Sequence, residues 1–179
     1  QPQYMETLPI WNEKLAETAS KIIAKRLQFI QDLKPYAKKV HQTLSNNKED
    51  LCLEYSSNID VSKDTKQHIL DTLDKNLEKD IALGYTSCGP HRDDLKITLD
   101  GKDTKNFASQ GQQRSCALSL KLAELELITQ STGEKPILLL DDVFSELDKS
   151  RRAKLLQFAQ NYQTIITCTD IDKITFNLF

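Results

Sequence analysis

Apolar residues recur at three- and four-residue spacing over residues 10 to about 33, at Leu15, Ala19, Ile22, Ile23, Leu27, Ile30 and Leu33, with Lys and Glu between them. That period predicts an amphipathic helix. Pro35 has no N–H and its ring crowds the preceding turn, so the helix is expected to kink or end there. A second helical stretch is expected from residue 36 to about 44, followed by a turn at Ser45, Asn46 and Asn47. Alternation over residues 51–55 predicts a short strand. Ser62 is then placed as the N-cap of a helix with the stripe Ile69, Leu70, Leu73, Leu77 and Ile81, closed by Gly84. After a loop over residues 84–94, alternation through Leu95, Ile97 and Leu99 and the pair Asp100-Gly101 predict a hairpin.

The last 70 or so residues change character. Ser109 precedes a helical pattern to about residue 131 that is apolar on most of its circumference (Cys116, Ala117, Leu118, Leu120, Leu122, Ala123, Leu125 and Ile128), so this helix is expected to be buried. Gly133 ends it. The run Ile137-Leu138-Leu139-Leu140 is apolar on both faces, as a central parallel strand is. A helix over about 149–160 and a strand over 164–169 complete a β-α-β unit, so this half of the chain reads as α/β.

Lys and Arg number 24 against 26 Asp and Glu, a formal charge of −2. Such a balance argues against holding nucleic acid by bulk electrostatics, yet leaves room for a local basic face. The first third carries Lys14, Lys21, Lys25, Arg26, Lys34, Lys38 and Lys39 against Glu6, Glu13, Glu17 and Asp32, which reads as a solvated helix face or as an arm facing DNA or a partner. Arg151, Arg152 and Lys154 open a later helix with the same two readings. No run approaches the roughly 18 apolar residues of a membrane span, and no signal-peptide pattern opens the chain, so a cytoplasmic protein without a membrane partner is expected. Cys52, Cys88, Cys116 and Cys168 are scattered without a C-x-x-C pair, which favours reduced core thiols over zinc or disulfides.

The strongest local chemistry is Asp141-Asp142, two carboxylates emerging at the C-terminal end of the apolar strand, where ligands of open α/β sheets collect. Hard oxygens there suit a Mg²⁺ that keeps most of its waters, and a second carboxylate can orient an attacking water. Asp141-Asp142-Val143-Phe144-Ser145-Glu146-Leu147-Asp148 resembles the run joining the Walker B strand to the D-loop in ABC-superfamily ATPases. Ala108-Ser109-Gln110-Gly111-Gln112-Gln113-Arg114 resembles the signature loop of the same superfamily, with Gln110 in place of its first glycine. A Ser hydroxyl, a glycine and a helix N-terminus together make an anion site.

Those two segments, with Gly89-Pro90-His91-Arg92-Asp93-Asp94-Leu95, are similar to the RecF recombination and repair family, and the similarity covers essentially the whole chain. The resemblance implies a helical arm or lid subdomain over residues 1–83, with a short strand, and the second half of an ABC-type ATPase head over 84–179. It implies that the whole protein is a DNA-stimulated ATPase using ATP and Mg²⁺, which homodimerises on ATP and acts at double-stranded DNA and at gaps between single and double strands. Its partners would be mediators of the RecO and RecR type that load the strand-exchange protein. By the same resemblance Asp141 holds Mg²⁺ through water and Asp142 takes the catalytic carboxylate's place. Ser109, Gln110, Gly111 and Gln112 face the γ-phosphate bound on a partner protomer, and Ser145 and Asp148 form the D-loop at that interface. Arg114 is a phosphate contact or a structural ion pair. Thr169-Asp170 stands where transporter domains place a switch histidine.

The Walker A loop, G-x-x-x-x-G-K-[ST], is not found in these 179 residues. Gly84 to Gly89 has the glycine spacing, but Pro90 and His91 follow, so the lysine is missing and one N–H donor is lost. The opening Gln1-Pro2-Gln3-Tyr4, without Met, and the apolar ending over 174–179 suggest a piece of a longer protein, inactive as an ATPase by itself and exposing apolar surface that another lobe would cover. A non-enzymatic scaffold that recruits repair partners is the alternative reading.

Overall fold

The computed structural model describes residues 6–61 and 64–169. It opens on one helix where two were expected: α1 runs Leu8–Ser45 with Pro35 inside it. An interior proline forfeits one backbone hydrogen bond and costs about 3 kcal/mol. Burial on both sides of it offsets that cost, since Leu33, Ala37, Val40 and Leu44 are at most 3% exposed. The helix ends where Asn46 (φ 55°) and Asn47 (φ 57°) enter the left-handed region, which asparagine tolerates. The Asn47 N–H there reaches back to the Gln42 carbonyl at 2.8 Å.

Strand β1 follows at Leu51–Ser56, with Leu51 and Leu53 turned inward. The next helix also departs from expectation. It is two helices, α2 at Thr65–Lys75 and α3 at Leu77–Leu83. The break falls at Asn76, whose side chain donates to Ser87 Oγ at 3.1 Å. Ser62 lies outside the described residues, and the cap of α2 is Asp64, which accepts from the Gln67 N–H at 3.3 Å. Gly84 (φ 73°) closes α3 as expected.

The hairpin is formed by β2 (Asp94–Leu99) and β3 (Lys102–Asp103) with Leu99 opposite Lys102. Positive φ at both Asp100 (49°) and Gly101 (77°) gives the two-residue turn whose twist matches the strands. The sheet order is β1-β2-β3. A short helix α4 (Thr104–Phe107) precedes α5 (Gln110–Thr132), which Gly133 closes at φ 75°. Strand β4 (Leu138–Asp141), a 3-10 turn (Val143–Glu146), α6 (Lys149–Ala159) and β5 (Thr164–Thr167) form the expected β-α-β unit, with β4 and β5 parallel and Leu138 opposite Thr164. The apolar ending over 174–179 lies outside the described residues.

Two compact units interleave along the chain: residues 1–30 with 54–96, and residues 31–53 with 97–179. The first is built on Ala16, Ala19 and Ile23 of α1 against Ile59, Ile69, Leu73 and Cys88. The second buries Phe144, Leu122 and Leu155 completely or nearly so, and Leu138 and Leu140 are buried as well. Two expectations of complete burial fail there. Helix α5 buries only Ser115, Cys116, Ser119, Leu122 and Ala123, while Ala117 and Ile128 are exposed. Strand β4 buries Leu138 and Leu140 but leaves Ile137 55% and Leu139 69% exposed, and Ile165 of β5 is 56% exposed. Strands apolar on both faces are built for cover on both. Among the described residues only one face is covered.

The cysteines divide in the same way. Cys88 and Cys116 are core thiols, and burial pushes the Cys116 thiol up to about 11, whereas Cys52 is exposed and Cys168 half-buried. All four are free. No helix among the described residues is long and apolar enough to cross a membrane.

The second unit also holds a buried polar contact. His41, 0% exposed, places Nε2 3.0 Å from Glu49 Oε2 and Nδ1 2.9 Å from Ser119 Oγ. Burial lowers the imidazole pKa and outweighs the neighbouring Glu49 carboxylate, which raises it. The contact is therefore a hydrogen bond from a neutral ring. A carboxylate only accepts, so Nε2 carries the proton and Nδ1 faces the Ser119 hydroxyl.

Phe144→Ala should destabilise the chain by about 3–5 kcal/mol, whereas Leu139→Ala should stay within about 0.5 kcal/mol, as read by urea unfolding. Equal costs would contradict the one-sided burial of β4. Because the folded pKa of His41 is depressed, the unfolded chain takes up a proton that the native state refuses as pH falls through about 6.5. Stability is thus held above that pH and lost below it. His41→Gln should flatten this part of the stability profile, and an unchanged profile would contradict the neutral assignment.

Candidate functional site

Ser109 sits in extended backbone ahead of α5 and forms a reciprocal cap with Gln112. Its hydroxyl accepts from the Gln112 N–H at 3.3 Å, and the Gln112 side-chain oxygen accepts from the Ser109 N–H at 2.9 Å. The cap leaves the N–H groups of Gln110 and Gly111 without an intrahelical acceptor, and both residues are exposed. A Cβ on Gly111 would meet nothing within 4 Å, and its backbone needs no glycine. Nothing among the described residues calls for glycine at that position, and the close approach it permits is open to a group from outside. Arg114 is exposed one turn further along.

The side-chain nitrogen of Gln112 donates to Glu49 Oε1 at 3.0 Å. The same oxygen lies 3.6 Å from Arg151 Nη2, while Glu49 Oε2 receives His41. Arg151 in turn grips Asp148: its N–H donates to Oδ1 and its Nη1 to Oδ2, both at 2.9 Å. Asp148 is the N-cap of α6, and the Arg151 backbone N–H, the largest cause, holds its carboxyl below the usual range. Arg152 Nε donates to the Leu147 carbonyl at 2.7 Å. The two arginines, read from sequence as a solvated or DNA-facing helix start, are tied to Asp148 and to the Leu147 carbonyl. Glu49 and His41 were missed by sequence reasoning. Glu49 is 63 residues from Gln112 and lies in a polar stretch that reads as a turn; the only signal is an even helical spacing that places His41 on the buried side of α1.

At the end of β4 the two carboxylates are oriented differently. Asp141 Oδ1 accepts from the Thr167 hydroxyl on β5. Asp142 has left-handed backbone (φ 46°, ψ 24°), a conformation that costs a non-glycine residue roughly 1 kcal/mol. It is held there by its N–H, 3.1 Å from both the carbonyl and the hydroxyl of Thr167, and by Ser145 Oγ, 2.8 Å from its carbonyl and 3.1 Å from its Oδ2. Both carboxylates are exposed. The hard, exposed oxygen of Asp141 at a parallel-strand end suits a hydrated Mg²⁺.

In the first unit, His91 and Arg92 serve their own loop. His91 Nε2 lies 3.0 Å from the Thr86 carbonyl, Arg92 Nε donates to the same oxygen at 3.4 Å, and the Arg92 guanidinium stacks 4.5 Å from the Tyr85 ring centre. Gly84 ends a helix and the segment leads into β2, so the geometry of a phosphate loop opening a helix is not formed. Asp170 lies outside the described residues. Several lysines of α1 are paired: Lys14 and Lys21 with Glu17, Lys38 with Asp50, and Lys39 with Glu126.

No family model matches the chain. It is 45% identical over 174 residues to the DNA replication and repair protein RecF of Ruminiclostridium cellulolyticum, covering 94% of this chain and 47% of that protein. The RecF proteins of Clostridium perfringens (42% over 170 residues, 95% and 47%) and Lactobacillus delbrueckii subsp. bulgaricus (45% over 175 residues, 94% and 46%) are similar to the same extent. Among solved structures, the recombination mediator protein RecF in the RecFOR pathway, with ATPrS, superposes with a TM-score of 0.81 at 38% identity, over 93% of this chain and 46% of that one. The same protein with ATP gives 0.80. The α/β fold is accordingly that of part of an ABC-type ATPase head with a helical portion. The chain spans about half the length of the curated relatives it matches, and it belongs to the RecF family.

Proposed function

We propose that this chain is the signature-bearing half of a bacterial, cytoplasmic RecF-type protein of DNA replication and repair, which dimerises on ATP and hydrolyses it slowly on DNA. The observation that carries the reading is the N-terminus of α5. A capping box fixes Ser109 and Gln112, and the exposed Gln110 and Gly111 leave uncovered backbone N–H groups beside a position with room for an incoming phosphate. The similarity to RecF structures with ATP and ATPrS supports the choice of ATP.

In this reading residues 1–83 serve as the helical arm or lid and 84–179 as half of the head. Ser109, Gln110, Gly111 and Gln112 meet the γ-phosphate held on the Walker A loop of a second protomer, so that each protomer completes the other's site. Ser145 and Asp148 lie at that interface. Asp141 holds Mg²⁺ through its waters, with the Thr167 hydroxyl fixing its orientation, and when bound the ion neutralises charge on the phosphates. Asp142 orients the attacking water. Its side chain is one methylene shorter than glutamate's and Ser145 Oγ lies 3.1 Å from its Oδ2, so it polarises the water less well, in keeping with a slow switch. Double-stranded DNA, gap junctions and mediators of the RecO and RecR type are the partners. Because several arm lysines are already paired, DNA contact would come from a dimer groove as much as from the arm.

Ser109→Arg in the whole protein should bind ATP as the wild type does on its own Walker A loop, while ATP-dependent dimerisation and hydrolysis are lost. Sedimentation and phosphate release read the two effects, and wild-type turnover in the variant would contradict the across-dimer assignment.

A further inference from the structure

We propose that Glu49 is a positioning residue which locks the signature loop to the D-loop within one protomer, an inference that rests on the ATP reading above. Three elements converge on this carboxylate. Gln112 Nε2 of α5 reaches Oε1 at 3.0 Å, Arg151 Nη2 of α6 approaches the same oxygen at 3.6 Å, and His41 Nε2 of α1 reaches Oε2 at 3.0 Å. The Glu49 side chain is 13% exposed, so the pair with Arg151 is screened far less than a surface ion pair.

The chain of bonds reaches the two caps. Gln112 is committed at both ends of its amide, the oxygen to the Ser109 N–H and the nitrogen to Glu49, so the carboxylate fixes which way the amide faces and thereby how Ser109 is held. Arg151 is likewise set between two carboxylates, Glu49 on one side and the α6 cap Asp148 on the other. Its buried Nε has no partner among the described residues, so within them the arginine depends on those two acceptors for its orientation. Glu49 touches neither phosphate nor water in this scheme. It acts through Gln112 on Ser109 and through Arg151 on Asp148, so that the two loops meeting the partner protomer keep one relative placement.

Glu49→Gln is the informative variant because it preserves shape. Its amide oxygen can still accept from Gln112, and its amide nitrogen can donate to His41 Nε2 if the ring moves its proton to Nδ1, where Ser119 Oγ accepts and itself donates to the Ser115 carbonyl at 2.7 Å. What is lost is the charge that orients Arg151. In the whole protein this variant should keep ATP affinity within about twofold, with kcat and ATP-driven dimerisation falling by about tenfold or more, because small misplacements of positioned groups are costly in rate. Arg151→Gln should show the same split between affinity and kcat, and the double variant should be no worse than either single one, since both break one network. Wild-type kcat in Glu49→Gln, additive losses in the double variant, or a fall in melting temperature with affinity and kcat lost together would each overturn the inference. A wild-type protein that neither dimerises on ATP nor hydrolyses it would instead sink the ATP reading, and the inference with it.

Discussion

A carboxylate that is nearly out of water, Glu49, accepts from a glutamine and a histidine and pairs with an arginine, the three on different helices. An isolated buried charge of this kind would cost several kcal/mol, and it is tolerated only because its lone pairs are occupied. The organisation of the second unit follows from that requirement. His41 must lie on the inner side of α1, Gln112 must turn back at the start of α5, and Arg151 must lie within the first turn of α6. The same demand explains why α1 continues through Pro35. The residues beyond the proline, Ala37 to Leu44, carry both the apolar cover and the histidine that the carboxylate needs.

The second constraint is incompleteness. Among the described residues Leu139 and Ile165 lie on an exposed face of a parallel pair, and Ile128 is exposed on α5. Apolar strands on an α/β sheet are stable when both faces are packed, so this surface fits a chain that spans about half of its relatives' length. The exposed Gly111 has the same character, since its lack of a side chain answers no need within the described residues.

What the sequence made legible was local. Asp100-Gly101 specified its turn, Gly84 and Gly133 closed their helices, and Ser109 with Gln112 specified a cap, because each is decided by backbone conformation within a few residues. The motif order from Ser109 to Asp148 led to the family. What stayed hidden depends on distant partners. Glu49 gains its role only when helices far apart in sequence pack, and Arg151 and Arg152 look like solvated charge until Asp148 and Leu147 are seen beside them. Asn76 breaks a helix that periodicity alone continues, and the exposure of Leu139 could not be read from an apolar run suited to burial on both faces. His91 and Arg92, recognisable by family wording, proved to hold their own loop through Thr86.

In the proposed function the cap of α5 serves a nucleotide bound by another protomer. The most direct measurement is photo-crosslinking with an ATP analogue reactive at its γ-phosphate, in mixed dimers where one protomer has lost its Walker A lysine. The label should appear on the segment Ser109 to Gln112 of the protomer that cannot bind ATP itself. Label confined to the ATP-binding protomer would contradict the claim.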